Sequence, residues 1–313
     1  MTAPNSSGYD IHCILACLSL ASERAQALAR EAARLARLFQ AELHFVHAGE
    51  DTPERRAFLS DLLQYALHAE GISGNGASLH SAAPLLPNLL IEPGRPDKVI
   101  AAMARRIGAD MIVAGALERE GLIEAFAGSV ARRIARNAPC SVLLITEPRP
   151  EGNRLHSIVA AVSMDSASAA MLRFVSNLAR RERTEIVHIV SEYELLGARD
   201  SMGGIASEDA LDHAEQCETA EMLDLKDFVA GFDTSGLKIE LACLKGREGS
   251  GAVEHARITG ADLLVLPAPG RRLTFWDRFF VHPTEFVLQS LPCALLLYRR
   301  RGAGAKSTVT PAG

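Results

Sequence analysis

Gly115 follows the apolar run Met111 to Ala114, and further on Gly128 and Ser129 open a segment of helical periodicity that carries Arg132 and Arg133. Glycines after a strand let backbone amides approach an anion with no side chain in the way. A helix N-terminus behind them adds free N–H groups and the positive end of a dipole. Ser129 is also a good helix N-cap. The chemistry expected here is anion or phosphate binding. Glu118 lies between the glycines and opposes it. Like charges a few ångströms apart repel by about 1 kcal/mol in water and about 4 kcal/mol in a partly buried site, whereas micromolar binding is worth about 8 kcal/mol in all.

A second constellation spans Arg271 to Phe280, where Phe275, Trp276, Phe279 and Phe280 are interleaved with Arg271, Arg272 and Arg278; Trp276 is the only tryptophan of the chain. Aromatic side chains with a basic rim can mark a recognition surface, which suits an apolar or acyl ligand, but they can equally fill a pocket or cover a sheet edge. His282 precedes Pro283 as a cap precedes a helix that starts with proline. No complete Walker A sequence, H-E-x-x-H or Gly-x-Ser-x-Gly elbow is present. Binding without catalysis is therefore expected, with a weak ATPase in the first half as the competing class. The six cysteines are spread thinly. Cys13 and Cys17 share a strand face, yet no C-x-x-C or zinc-type spacing accompanies them, so free buried thiols and no metal are expected. His44 and His47 are expected to be structural.

The elements that must position these residues alternate. Apolar runs and helical periodicity predict a strand over Ile11 to Leu18, a helix over Ser22 to Phe39, a strand over Glu42 to Val46 and a helix from Pro53 to Gly71. A strand near Leu89 to Ile91, a helix over Pro96 to Ile107 and a strand over Met111 to Ala114 follow. A glycine-bearing loop, a helix over Ser129 to Asn137 and a strand over Val142 to Ile145 complete the unit. Strands alternating with helices predict a parallel sheet covered on both faces. Pro148, Pro150 and Gly152 then mark a linker, and the order recurs. Ile158 to Val162 repeats the first strand, Ser166 to Arg180 the first helix, Glu185 to Val190 the second strand, and Ser207 to Phe232 a longer second helix. Ile107-Gly108-Ala109-Asp110 matches Thr259-Gly260-Ala261-Asp262, and Ala138-Pro139-Cys140 matches Leu291-Pro292-Cys293, at offsets of 152 and 153 residues. Duplication explains this. The units expected are 9–147 and 155–300.

Taken together, the Gly-Ala-Asp turn, strand, glycine loop, Gly-Ser helix start and Ala-Pro-Cys succession resemble the universal stress protein family in its tandem, two-domain form. That resemblance implies an α/β fold with two domains, each a five-stranded parallel sheet in the order 3-2-1-4-5 with helices on both faces. It implies ATP as the possible cofactor of the first unit, with Gly115, Gly128 and Ser129 at the phosphate motif and Glu118 in place of a glycine. Ser19 would stand where the family has an acidic residue, and Gly94 and Val130 would complete the site. In the second unit Pro267 replaces the first glycine, Gly270 remains, Val281-His282 stands where Gly-Ser would be, and Ser163 takes the acidic position. A ligand site there would use Ser163, Gly270, Trp276 and His282. The resemblance also implies pairing of the units through their fifth strands, Val142 to Ile145 beside Leu295 to Tyr298, and allows a homodimer.

Bulk properties agree with a binding module. The net charge of -5 comes from 33 basic and 38 acidic residues that are interspersed, so no basic field for nucleic acid is expected. Apolar runs are far shorter than the roughly 20 residues of a membrane span. The polar N-terminal segment lacks the pattern of an export signal, so the cytoplasm is expected. The tail from Arg299 to Gly313 is expected to be solvated.

Overall fold

The computed structural model describes residues 11–20, 22–69, 88–116, 129–146, 154–193, 208–246, 249–268, 287–288 and 291–300. The first unit runs β1 (Cys13–Cys17), α1 (Ser22–Phe39), β2 (Glu42–Ala48), α2 (Pro53–Ala69), β3 (Asn88–Glu92), α3 (Pro96–Ile107), β4 (Met111–Gly115), α4 (Ser129–Asn137) and β5 (Ser141–Ile145). The second runs β6 (Ser157–Val162), α5 (Ser166–Glu182), β7 (Ile186–Tyr193), α6 (Glu208–Ala230), β8 (Ile239–Lys245), α7 (Ser250–Ile258), β9 (Leu263–Pro267) and β10 (Ala294–Tyr298). The strands lie in one ten-stranded sheet, in the order β3-β2-β1-β4-β5-β10-β9-β6-β7-β8. Each half therefore has the order expected of it. Within each half the neighbours are parallel, and β5 meets β10 antiparallel with Leu144 opposite Leu295 and Val142 opposite Leu297.

The sheet buries both faces, so its central strands are almost wholly apolar. One core holds Ile14, Phe45, Val113, Phe174 and Val265 under α1, α2, α5 and α6. The other holds Leu15, Ile112, Leu144, Leu264 and Leu295 under α3, α4 and α7. Both cores run across the seam. Phe174 of α5 is fully buried, stacked between Phe39 of α1 at 5.9 Å and Tyr298 of β10 at 5.2 Å. Beside it Arg34 of α1 donates to Glu31 and, at 2.6 Å, to Glu182 of α5, whose side chain is only 1% exposed.

The repeated Gly-Ala-Asp is a clasp. Gly108 (φ 66) and Gly260 (φ 60) take the left-handed conformation that ends α3 and follows α7, where a side chain would be strained. Ala109 and Ala261 then donate back to Ala104 and Ala256, both at 2.9 Å. The Asp110 carboxylate accepts from the amides of His12 and Cys13 at 2.9 and 3.0 Å, and Asp262 does the same for His156 and Ser157 at 2.6 and 3.0 Å. Each acid thus ties the strand after a helix to the unit's first strand.

The sequence reading of the second unit names neither β8 nor α7. β8 lies at the sheet edge and is only half buried along its length, so it lacks the continuous apolar run that flagged the others. Helix α2 is described over Pro53–Ala69, and α6 over Glu208–Ala230, which stops short of the expected Phe232; Ser207 lies outside the described residues. Gly71 lies outside the described residues. Among the described residues no helix is long and apolar enough to cross a membrane.

Candidate ligand site

A cavity of about 640 Å³ opens at the carboxyl ends of the first unit's strands, where Ser19, His47, Gly115 and Thr146 line it. It sits between β1 and β4, where the chain reverses its direction of sheet growth, the place where open α/β sheets bind ligands. The volume falls within the range of small-molecule sites. Its walls are apolar: Leu28 from α1, Val46 from β2, Ile100 from α3, and Val130, Ala131 and Ile134 from α4.

The polar side chains on this wall are few and each is placed by the backbone. Leu18 donates its amide to Val46 at 2.8 Å, holding β1 to β2 just below Ser19. The Nδ1 of buried His47 lies 3.0 Å from the carbonyl of Leu18. A carbonyl only accepts, so Nδ1 is the donor in this contact. Arg24 of α1 is exposed at the mouth. The first turn of α4, whose leading amides have no partner within the helix, brings Val130 and Ala131 to the cavity, and that turn contains no acidic residue. Arg133 does not join this wall. It pairs at 3.5 Å with Asp97, which is 3% exposed and is approached on its other side by Arg95 at 3.3 Å. The cation that the sequence placed beside an anion site is turned instead to an acid of α3.

Of the residues expected at this site, the cavity brings together Ser19, Gly115 and Val130. Gly94 (φ 135) instead forms the turn between β3 and α3, and it is not among the lining residues. A side chain on Gly115 would meet Leu28 Cδ1 at 3.7 Å, an ordinary contact, so this glycine leaves room without being sterically required. Ser129 begins α4. Glu118 and Gly128 lie outside the described residues. Sequence reasoning missed Arg24, taken only as part of a helix, and His47 as a lining residue; the signal for His47 was its place at the carboxyl end of a central strand.

At the corresponding edge of the second unit, the described residues find their partners within the chain. Ser163 is exposed, and its amide donates to Ser168 Oγ at 3.0 Å. The Asp165 carboxylate caps α5 by accepting from the Ser168 amide at 2.7 Å. Glu192, at the position that Ala48 holds in the first unit, accepts from the amides of Gly249 and Ala252 at 2.6 and 2.9 Å. A carboxylate of the chain itself thus occupies the N-terminus of α7, where an anion would be attracted. Ser191 also donates its hydroxyl to Glu221 of α6. Pro267 ends β9 where Gly115 ends β4. Gly270, Trp276 and His282 lie outside the described residues.

Comparison with known proteins agrees with this architecture. A functionally unknown protein from Pseudomonas aeruginosa PAO1 superposes with a TM-score of 0.66 at 20% identity, covering 93% of each chain. A universal stress protein from Archaeoglobus fulgidus DSM 4304 superposes with a TM-score of 0.56 at 11% identity, covering 92% of this chain and 98% of its own. A universal stress protein of Methanocaldococcus jannaschii is 40% identical over 58 residues, which is 18% of this chain and 34% of the relative. The chain thus matches about a third of that relative's length. The model of the universal stress protein family matches twice, over residues 12–146 and 155–299, and the chain belongs to that family.

Proposed function

We propose that this chain is a non-catalytic binding and signalling protein of a cytoplasmic stress response, in which the first unit takes a nucleotide, ATP in the first instance. The second unit, its own nucleotide edge given up, then serves as a fixed partner. The observation that carries the reading is the cavity of about 640 Å³ at the β1/β4 switch point, with the first turn of α4 on its wall. Its apolar sides suit a base and ribose, and the helix start suits phosphate. Binding rather than turnover is favoured by the lining: Ser19 stands at the end of β1, and the imidazole of His47 is held to the Leu18 carbonyl.

Calorimetric titration with Mg-ATP tests this. Measurable heat is expected from the wild type, with affinity reduced about tenfold or more in Val130→Trp, whose indole would fill the cavity. No heat at millimolar Mg-ATP rejects the nucleotide. Phosphate release above background that disappears when Gly128 is replaced by a bulky residue would make the first unit an ATPase instead. Light scattering of the purified chain decides between a monomer and the homodimer that the family allows.

A further inference from the structure

We propose that Cys13, Glu42 and His44 form a zinc(II) site at the amino end of the first unit's sheet, at the opposite end of the strands from the nucleotide cavity. The proposal does not depend on nucleotide binding. Cys13 begins β1 and Glu42 begins β2, and the two are register partners in a parallel pair. His44 stands two residues beyond Glu42, so the alternation of a strand puts all three side chains on one face of the sheet. One ligand atom from each, the thiol sulfur, a carboxylate oxygen and an imidazole nitrogen, lies within 4.8 Å of the other two. Sulfur, nitrogen and oxygen donors of this kind suit zinc, and three protein ligands leave a fourth position for water.

The geometry favours a shared ion over a direct contact. His44 Nε2 and Glu42 Oε2 are 3.7 Å apart, which is longer than a hydrogen bond. It is close to the roughly 3.4 Å between two ligands of a tetrahedral ion with bonds of about 2.05 Å. The thiol of Cys13 lies 3.9 Å from the carbonyl of Ile107, and metal binding would remove its proton to solvent. Cys13 and His44 are buried while the Glu42 side chain is 70% exposed. Two ligands are therefore fixed by the core, and the third is able to close over the ion from outside. The Asp110 carboxylate, by accepting the His12 and Cys13 amides, positions the start of β1. The repeat supplies a control. In the second unit the same positions hold Ser157, Ile186 and His188, so only the histidine survives and no such site is expected.

Cobalt(II) is the probe. The untagged full-length chain, stripped with a chelator and titrated with cobalt(II), is expected to take up one equivalent per chain. A thiolate-to-cobalt charge-transfer band should appear and should be bleached by zinc(II). Cys13→Ser is expected to abolish the band, and Glu42→Gln, a change at an exposed side chain that the fold tolerates, to weaken zinc about tenfold or more against a chromophoric chelator. His188→Ala should change nothing. Absence of the band at stoichiometric cobalt overturns the proposal, and so does a band that survives Cys13→Ser or zinc affinity unaltered in Glu42→Gln.

Discussion

The carboxyl edges of the two units are built on the same strand order and have come to opposite states. In the first, Ala48 and Gly115 leave space, α3 begins at Pro96 with no side-chain cap, and the start of α4 faces a cavity. In the second, Glu192 fills the amides at the start of α7, and Ser163 and Asp165 are closed onto Ser168. Duplicated frameworks can thus keep their hydrogen-bonding demand while changing who meets it. A helix start that no ligand satisfies must be satisfied by the chain, because a buried amide without a partner costs about as much as a lost hydrogen bond. In the second unit that internal partner is the carboxylate of Glu192.

The contact between the units shows the same asymmetry, and breaking it should have the largest effect. Arg34 reaches Glu182, while the positions related to them by the repeat, Leu178 and Leu38, are apolar: Leu178 is buried in the shared core and the partly buried Leu38 packs against it. Arg34 is held firmly protonated, against its own burial, by Glu31 and Glu182. Arg34→Leu strands a nearly inaccessible carboxylate and should cost about 3–5 kcal/mol in denaturant unfolding. Adding Glu182→Leu, which copies the apolar pair, should restore most of that loss. A single mutant as stable as the wild type would show that the pair carries no weight.

Opening the second unit should cost less. Glu192→Ala removes a carboxylate that accepts two amides, and about 2 kcal/mol is expected from charge-assisted bonds of this type, read as a lowered Tm. Nucleotide binding by the second unit should not appear in this variant, because Pro267 and the Ser163–Ser168 bond remain.

The smallest effect concerns acid. His188 and His255 meet edge to face at 5.1 Å, where the first unit has His44 and Met103. Burial lowers the pKa of both, and the proximity of His188 lowers His255 further. Glu240 acts in the opposite sense on each, and Lys238 adds to the lowering of His188. Their neutral forms are therefore favoured in the fold. That stability is complete above the ordinary histidine value of about 6.5 and is lost as pH falls through the lowered values. Thermal unfolding followed across this range should show a decline in Tm toward acid that is shallower in His255→Phe. An identical decline would assign the acid sensitivity elsewhere.

Much of this fold was legible in the chain itself. The alternating runs around Ile14, Phe45 and Val113, and their recurrence around Ile158 and Val265, announce a doubled parallel sheet, because strands buried on both faces have little choice of composition. The glycine, alanine and aspartate of each clasp are visible for the same local reason: a left-handed helix end and a carboxylate reaching nearby amides are short-range demands. β8 escaped notice because its edge position lets Glu240 and Lys245 interrupt the apolar run, whereas β3, the other edge, keeps Leu89, Leu90 and Ile91 together. Gly94, which the resemblance implied for the ligand site, makes the turn between β3 and α3, and spacing does not reveal such a conformation.

What only the tertiary structure decided were the partnerships between residues far apart in the chain. Sequence placed Arg133 near an anion, and the packing of α3 against α4 gave it to Asp97. Sequence set aside Cys13 and His44 as buried structural groups, and the register of β1 on β2 placed them beside Glu42. Periodicity is fixed by backbone geometry and can be read from any stretch of chain. Which charged or ligating atoms meet depends on crossovers and register, and those are set only when the whole sheet closes its two cores.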